Sequence, residues 1–231
     1  LTTHIWSKLY SYQLKTFVVI HINSKIWLKS ESVAFRFWCI IDNMAYRKTP
    51  FTVDEWYHCY SRGIDKRITF NNHPDYMRFL ELLYLCNDIA PYNREYLLGT
   101  PSRLIFKKER VETLVSIGCF CLMPNHFHIL LREKSEGGIS RFMQKVGTAY
   151  AKYFNEKEER IGGLFVKPFR SKHIDSDAYL NRIIPYIHLN PAELYESGWK
   201  DCEVRDMHRL EKRLMEYHYS SLQDFDGAER P

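Results

Sequence analysis

"TLVSIGCFCLMPNHFHILLRE", residues 113–133, decides how the rest of this chain is read. The continuous apolar run up to Met123 reads as a strand, "PN" at 124–125 as a turn, and "HFHILLRE" as the returning strand. Residues two apart in a strand point to one face, so His126 and His128 project together and Phe127 goes to the other side. A buried strand normally repeats aliphatic residues, yet this one gives two positions of a single face to imidazole. From spacing alone two readings stay open: a hydrogen-bonded histidine pair, or half of a divalent-metal site whose other ligands come from elsewhere.

Working outward, "EWYHCYSR" at 55–62 is aromatic-rich and alternating, as a strand should be. A helix follows, entered at Asn72 or His73 with Pro74 in its first turn and Phe79, Leu82, Leu83 and Cys86 at helical spacing. Residues 90–112 form a polar insertion. Beyond the hairpin, "GGISRFMQKVGTAYAKYFNEK" is a second helix whose apolar stripe is Ile139, Phe142, Met143, Val146, Tyr150 and Phe154. "GGLFVKPFRSKHID" supplies a fourth strand that Pro168 weakens toward an edge or bulge. "SDAYLNRIIPYIHLNPAEL" is a third helix, entered at Ser176 or Asp177, and the charged tail contains a helical stretch near "RDMHRLEKRLMEY".

Strand, helix, strand, strand, helix, strand is the order of a ferredoxin-like split βαβ fold. The expected class is α+β: an antiparallel sheet with helices on one face, plus an additional C-terminal helix. Three parts are expected along the chain. Residues 1–43, which hold no Met and are rich in Ile, Trp, Phe, Ser and Lys, read as a doubtful extension or over-extended gene start. Residues 44–195 form the main domain, and 196–231 a charged, partly helical tail.

The chain has 231 residues, with 45% hydrophobic and 26% charged side chains, the composition of a globular protein. Its net charge is +5, and the first 43 residues supply +3 of it through five basic and two acidic side chains. Any nucleic-acid role must therefore rest on a local basic face rather than a global field. Six cysteines show no C-x-x-C pair or zinc-ribbon spacing, so a reducing cytoplasm is expected. The apolar pieces of the leader are too short or too interrupted to span a membrane, and no membrane partner is expected.

A second constellation is "PYIHLNP" at 185–191. Tyr186 and Asn190 are four apart and share a helix face, where a phenol and an amide oxygen could serve one site. The plainer reading makes Tyr186 a core tyrosine and "NP" a helix stop. His188 lies two residues from Tyr186 and points elsewhere. Pro185 removes a helix hydrogen bond just before the tyrosine, so a kink or restart there would change how Tyr186 faces. Two rival H-x-H chemistries fail on inspection. A histidine-triad hydrolase wants a third alternating histidine where Leu130 stands, and a two-histidine phosphodiesterase wants Ser or Thr two places after each histidine.

"LMPNHFHILL", "GTAYAKYFN" and "GGLFVKPFRSKHIDSDAYLNRIIPYIHLNP", in this order, resemble the single-tyrosine HUH transposases of the insertion-sequence 200/605 type. Within that family the chain is most similar to the branch associated with repetitive extragenic palindromes. The resemblance covers about Glu55 to Leu194, with an echo in "YSSLQDF". It implies single-stranded or hairpin DNA as partner, and cleavage and rejoining through a 5′-phosphotyrosine during DNA transposition. His126 and His128 would be ligands of Mg²⁺ or Mn²⁺, Tyr186 the nucleophile, and Asn190 the third ligand, where some relatives carry glutamine. A prokaryotic, cytoplasmic protein, nucleoid-associated when on DNA and monomeric or homodimeric, is the matching expectation.

Candidate phosphate contacts are Arg62, Lys66 and Arg67 after the first strand, Lys107 and Lys108 in the insertion, and Lys167, Arg170 and Lys172 around the fourth strand. Tyr57, Tyr60 and Phe169 are candidates for stacking on unpaired bases or for sheet packing. The competing expectations are a non-catalytic DNA- or RNA-binding module that kept the fold, and a structural metal-binding domain.

Overall fold

The computed structural model describes residues 20–22, 25–27, 50–93, 95, 99–199 and 204–225. The chain divides into two compact units, one of residues 46–187 with residue 231 and one of residues 1–45 with 188–230. The first contains strand β1 (Trp56–Arg62), helix α1 (His73–Leu85), strand β2 (Val115–Met123), strand β3 (His126–Glu133), helix α2 (Gly138–Lys157) and strand β4 (Arg170–His173). Helix α3 (Asp177–Leu189) follows, its last two residues belonging to the second unit.

The four strands form one sheet in the order β2-β3-β1-β4, with antiparallel pairing throughout. β3 lies between β1 and β2, and β1 between β3 and β4, so each helix crosses over an intervening strand. That is the split βαβ arrangement expected from the sequence.

Local chemistry accounts for the element ends. The Asn72 side chain accepts a hydrogen bond from the Asp75 amide and caps α1, with Pro74 in the first turn where its missing N–H costs nothing. At α2 the start is unusual. Gly138 has no room for a Cβ, which would sit 2.4 Å from the Leu114 carbonyl oxygen. The buried Glu133 carboxylate takes the Ile139 amide at 2.7 Å, placing negative charge at the positive end of the helix. β4 is shorter than the sequence suggests. It begins only at Arg170, after the cis Lys167–Pro168 bond, because proline has no N–H for the ladder. Upstream of it a single bridge, Gly63 to Phe165, marks the remainder of the expected strand.

One face of the sheet carries the core. Phe127, Ile129 and Leu131 of β3 point toward α1 and α2, where Phe79, Leu82, Phe142, Val146 and Tyr150 are almost fully buried. Phe79 packs its ring 5.1 Å from Phe127 and 5.0 Å from Tyr150, which donates its hydroxyl to the Thr69 carbonyl at 2.6 Å. Each such aromatic contributes about 1.5–3 kcal/mol of burial. Beside this core, buried Asp75 holds Lys157 Nζ at 2.9 Å and the Tyr153 hydroxyl at 2.8 Å. Burial and that bond to Asp75 push the Tyr153 phenol up to about 12.

The hairpin tip is tied down from the loop after β1. Gly63 donates to the Asn125 carbonyl at 2.8 Å, and Thr69 and Phe70 both donate to the Pro124 carbonyl. A Cβ on Gly63 would fall 2.4 Å from the Arg67 carbonyl oxygen, so this loop can close only on glycine.

In the second unit, a 3₁₀ segment (Asn190–Leu194) precedes helix α4 (Met207–Met215), which is capped by Asp206, and a final turn, Leu222–Phe225. Ala192, Leu210, Leu214 and Leu222 form its small core. The antiparallel pair Ile20–Ile22 with Lys25–Trp27 also belongs to this unit. Apart from those six residues, the 1–43 leader lies outside the described residues.

Cys59, Cys86, Cys119 and Cys121 are buried, and burial pushes the Cys86 thiol up to about 12. Cys39 and Cys202 lie outside the described residues. Among the described residues, no helix is long and apolar enough to cross a membrane.

Candidate active site

The opposite face of the sheet is assembled by register. Across the β1–β3 ladder Arg62 stands opposite His126, Tyr60 opposite His128 and His58 opposite Leu130. Directly paired residues share a face. His58, Tyr60, Arg62, His126 and His128 therefore all project away from the Phe79 core. The β1–β4 ladder pairs Tyr60 with Arg170 and His58 with Lys172, adding two cations to the same side.

His126 and His128 are buried, their ring centroids 5.1 Å apart and their planes nearly perpendicular at 89°. Each ring is held through Nδ1. His126 Nδ1 meets Asn125 Oδ1 at 2.6 Å, while Asn125 Nδ2 donates to the Lys66 carbonyl at 3.2 Å. That second bond sets the amide orientation, so Oδ1 is the acceptor and His126 carries its proton on Nδ1. Its Nε2 is then the basic nitrogen. His128 Nδ1 lies 2.8 Å from Nε2 of His58, which is fully buried. Burial, then the Lys172 charge, push His58 down to about 3, so it is a neutral imidazole at ordinary pH. Tyr60 stacks on both rings, at 5.0 Å from His58 and 5.5 Å from His128.

Tyr186 reaches this cluster. Its ring lies 5.6 Å from His128 and 6.1 Å from His58, edge-on to both. Helix α3 runs through Pro185 without a break in assignment, so the proline does not turn Tyr186 away. Ile183 and Ile187 bury the helix face beside it, and Tyr186 itself is half-buried.

Asn190 is buried in the second unit as the first residue of its 3₁₀ segment. His188, in that same unit, bonds Ser221 Oγ at 2.9 Å and packs on Phe225. The "YSSLQDF" echo thus engages the histidine that spacing separated from Tyr186.

The eight cations are not equivalent. Arg62, Arg170 and Lys172 share the imidazole face, and Lys172 Nζ sits 4.9 Å from the Tyr179 ring. Arg67 turns back onto Asp65 and the Ile64 carbonyl. Lys66, closing a short 3₁₀ turn, and Lys167 are exposed, and Lys107 and Lys108 sit in the insertion. Of the three stacking candidates, Tyr57 is a buried packing residue and Phe169 stacks on Phe51 at 6.2 Å. Spacing missed a groove on the outer side of α1 and α2, lined by Arg78, Arg141, Lys145 and Lys152. Spacing also missed Asn125, which it treated as a turn residue, and His58, whose partner only strand register reveals.

Among the described residues, no cluster of three or more His, Cys, Asp or Glu side chains is placed to hold a metal. The donor chemistry of the histidine pair nevertheless suits an open site. With Nδ1 of His126 protonated and bonded to Asn125, its remaining nitrogen is a neutral imidazole donor of the kind divalent cations accept.

Residues 100–190 match the family model described as IS200-like transposase, a segment that spans the hairpin, α2, β4 and Tyr186. Among solved structures, a REP-associated tyrosine transposase bound to a REP hairpin is similar at 12% identity and a TM-score of 0.47, covering 78% of this chain and 84% of that one. No curated protein matches.

Proposed function

We propose that this transposase-family chain cleaves and rejoins single-stranded DNA beside a hairpin, using Tyr186 as nucleophile on the imidazole face of the sheet. The observation that supports this most directly is the Tyr186 ring 5.6 Å from His128, on the face that also holds His126. Both halves of the motif resemblance, sixty residues apart in sequence, converge there.

In the proposed reaction the Tyr186 phenol oxygen attacks the scissile phosphorus and its proton leaves to solvent. The P–O bond to the upstream 3′ oxygen breaks, giving a 5′-phosphotyrosine and a free 3′-OH. One phosphoester replaces another, so the reverse attack by a 3′-OH rejoins DNA without ATP. A free phenol titrates near 10, so attack at neutral pH needs help in stabilising charge. His126 and His128 would hold Mg²⁺ or Mn²⁺. When bound, the cation supplies Lewis-acid polarisation of the phosphate. Arg62, Arg170 and Lys172 would orient the DNA backbone by charge.

The test uses an oligonucleotide carrying a hairpin with single-stranded flanks, incubated with the full chain and Mn²⁺. A covalent protein–DNA adduct should form with wild type and be absent with Tyr186→Phe. An undiminished adduct in Tyr186→Phe refutes the nucleophile. DNA binding with no adduct in wild type, unaffected by chelator, would instead identify a non-catalytic binding module.

A further inference from the structure

His58 lies outside the segment that matches the family model, in β1, and is the third imidazole of the cluster. It is fully buried, bonded through Nε2 to His128 Nδ1 at 2.8 Å with ring planes 19° apart. Its own Nδ1 has no hydrogen-bond partner among the described residues. A buried imidazole that leaves one nitrogen unsatisfied costs about 1–3 kcal/mol, so an apolar residue would pack there more cheaply. The bond to His128 is what His58 offers in return.

Only one proton can lie between the two nitrogens, and its position decides what His128 can do. If His58 Nε2–H donates, a neutral His128 carries its own proton on Nε2 and cannot ligate through that atom. If His128 Nδ1–H donates, Nε2 of His128 keeps its lone pair. We propose that His58 is a positioning residue that accepts the Nδ1 proton of His128 and so makes His128 Nε2 the metal-binding atom.

The same device is already explicit at the neighbouring ligand, where Asn125 Oδ1 holds His126 in the Nδ1–H form. Two acceptors from two different elements, the hairpin turn and β1, would then set both histidines to one tautomer. Tyr60 stacks against both His58 and His128, whose rings lie near parallel at 19°. The inference rests on the reading of His128 as a metal ligand given above.

The experiment measures Mn²⁺ binding to the full chain by calorimetry, for wild type, His128→Ala, His58→Phe and His58→Gln. His58→Phe keeps a flat ring but offers no acceptor, and Mn²⁺ affinity should fall about ten- to a hundredfold. His58→Gln, whose amide oxygen can reach the same proton, should recover part of that loss. A merely structural role would not be rescued in this order. In parallel, ¹⁵N NMR of the metal-free wild type should show neutral His128 protonated on Nδ1. That spectrum carries the test even if His58→Phe does not fold. Wild-type affinity in His58→Phe, or a His128 proton on Nε2 in the metal-free protein, overturns the positioning role alone. Absence of Mn²⁺ binding in wild type, or unchanged binding in His128→Ala, overturns the ligand reading and this inference with it.

Discussion

The two faces of the sheet are cut from the same strands and hold opposite kinds of side chain. On β3, Phe127 and Ile129 face the helices, while His126 and His128, one residue out of phase, face Tyr186. The helix face is a close-packed aromatic core in which Phe79, Phe127 and Tyr150 touch ring to ring. The imidazole face is a polar cluster in which His58, Asn125, His126 and His128 are buried or half-buried and linked by short hydrogen bonds. A period of two lets a seven- to nine-residue strand serve both ends at once. The consequence is that stability and chemistry should separate by face, and substitutions can be chosen to break that separation.

The largest expected effect is on the helix face. Phe79→Ala should cost about 3–5 kcal/mol in urea unfolding, through lost burial and a cavity. Asp75→Ala, beside the same core, should cost about 3 kcal/mol, because Lys157 and Tyr153 lose the carboxylate they share.

An acid-stability measurement probes the other face. His58 has a folded value near 3 against an ordinary 6.5, so the unfolded chain binds the extra proton between those limits. Stability of the metal-free protein should therefore fall as pH drops from 6.5 toward 3, by up to about 1 kcal/mol per pH unit. His58→Phe should flatten that slope.

Asn125→Ala should weaken Mn²⁺ binding about tenfold by freeing the His126 ring, while changing unfolding free energy by no more than about 1 kcal/mol. The smallest stability effect is expected at the proposed nucleophile. Tyr186→Phe should alter unfolding by less than about 1 kcal/mol while abolishing the DNA adduct. If Tyr186→Phe unfolds the protein or Phe79→Ala spares it, the division between faces is wrong.

Much of this was legible in the residues. The hairpin at 113–133 reads correctly because a nine-residue apolar run, a Pro-Asn turn and an alternating return leave one register. His126 and His128 share a face by strand period alone, and Pro74 narrows the start of α1 to Asn72 or His73, of which Asn72 is the cap. Pro168 shortens β4 as its missing N–H requires. Local chemistry also suggested that Pro185 could break α3, and there the continuous helix through 177–189 overrode it.

What tertiary structure alone decided is which distant residues meet. His58 is one histidine among ten, and nothing local marks it. Its role as partner of His128 exists only because β1 pairs with β3 in the register that sets Tyr60 opposite His128. Asn125 looked like turn chemistry until its amide was seen held by Lys66 and aimed at His126. Tyr186 could have faced core or site, since four-residue spacing defines a helix face but not what that face meets. The sequence by itself determined the elements and the side each residue takes, because those follow from backbone periods of 2 and 3.6. The imidazole cluster and the approach of Tyr186 depended on long-range pairing, which local periodicity does not encode.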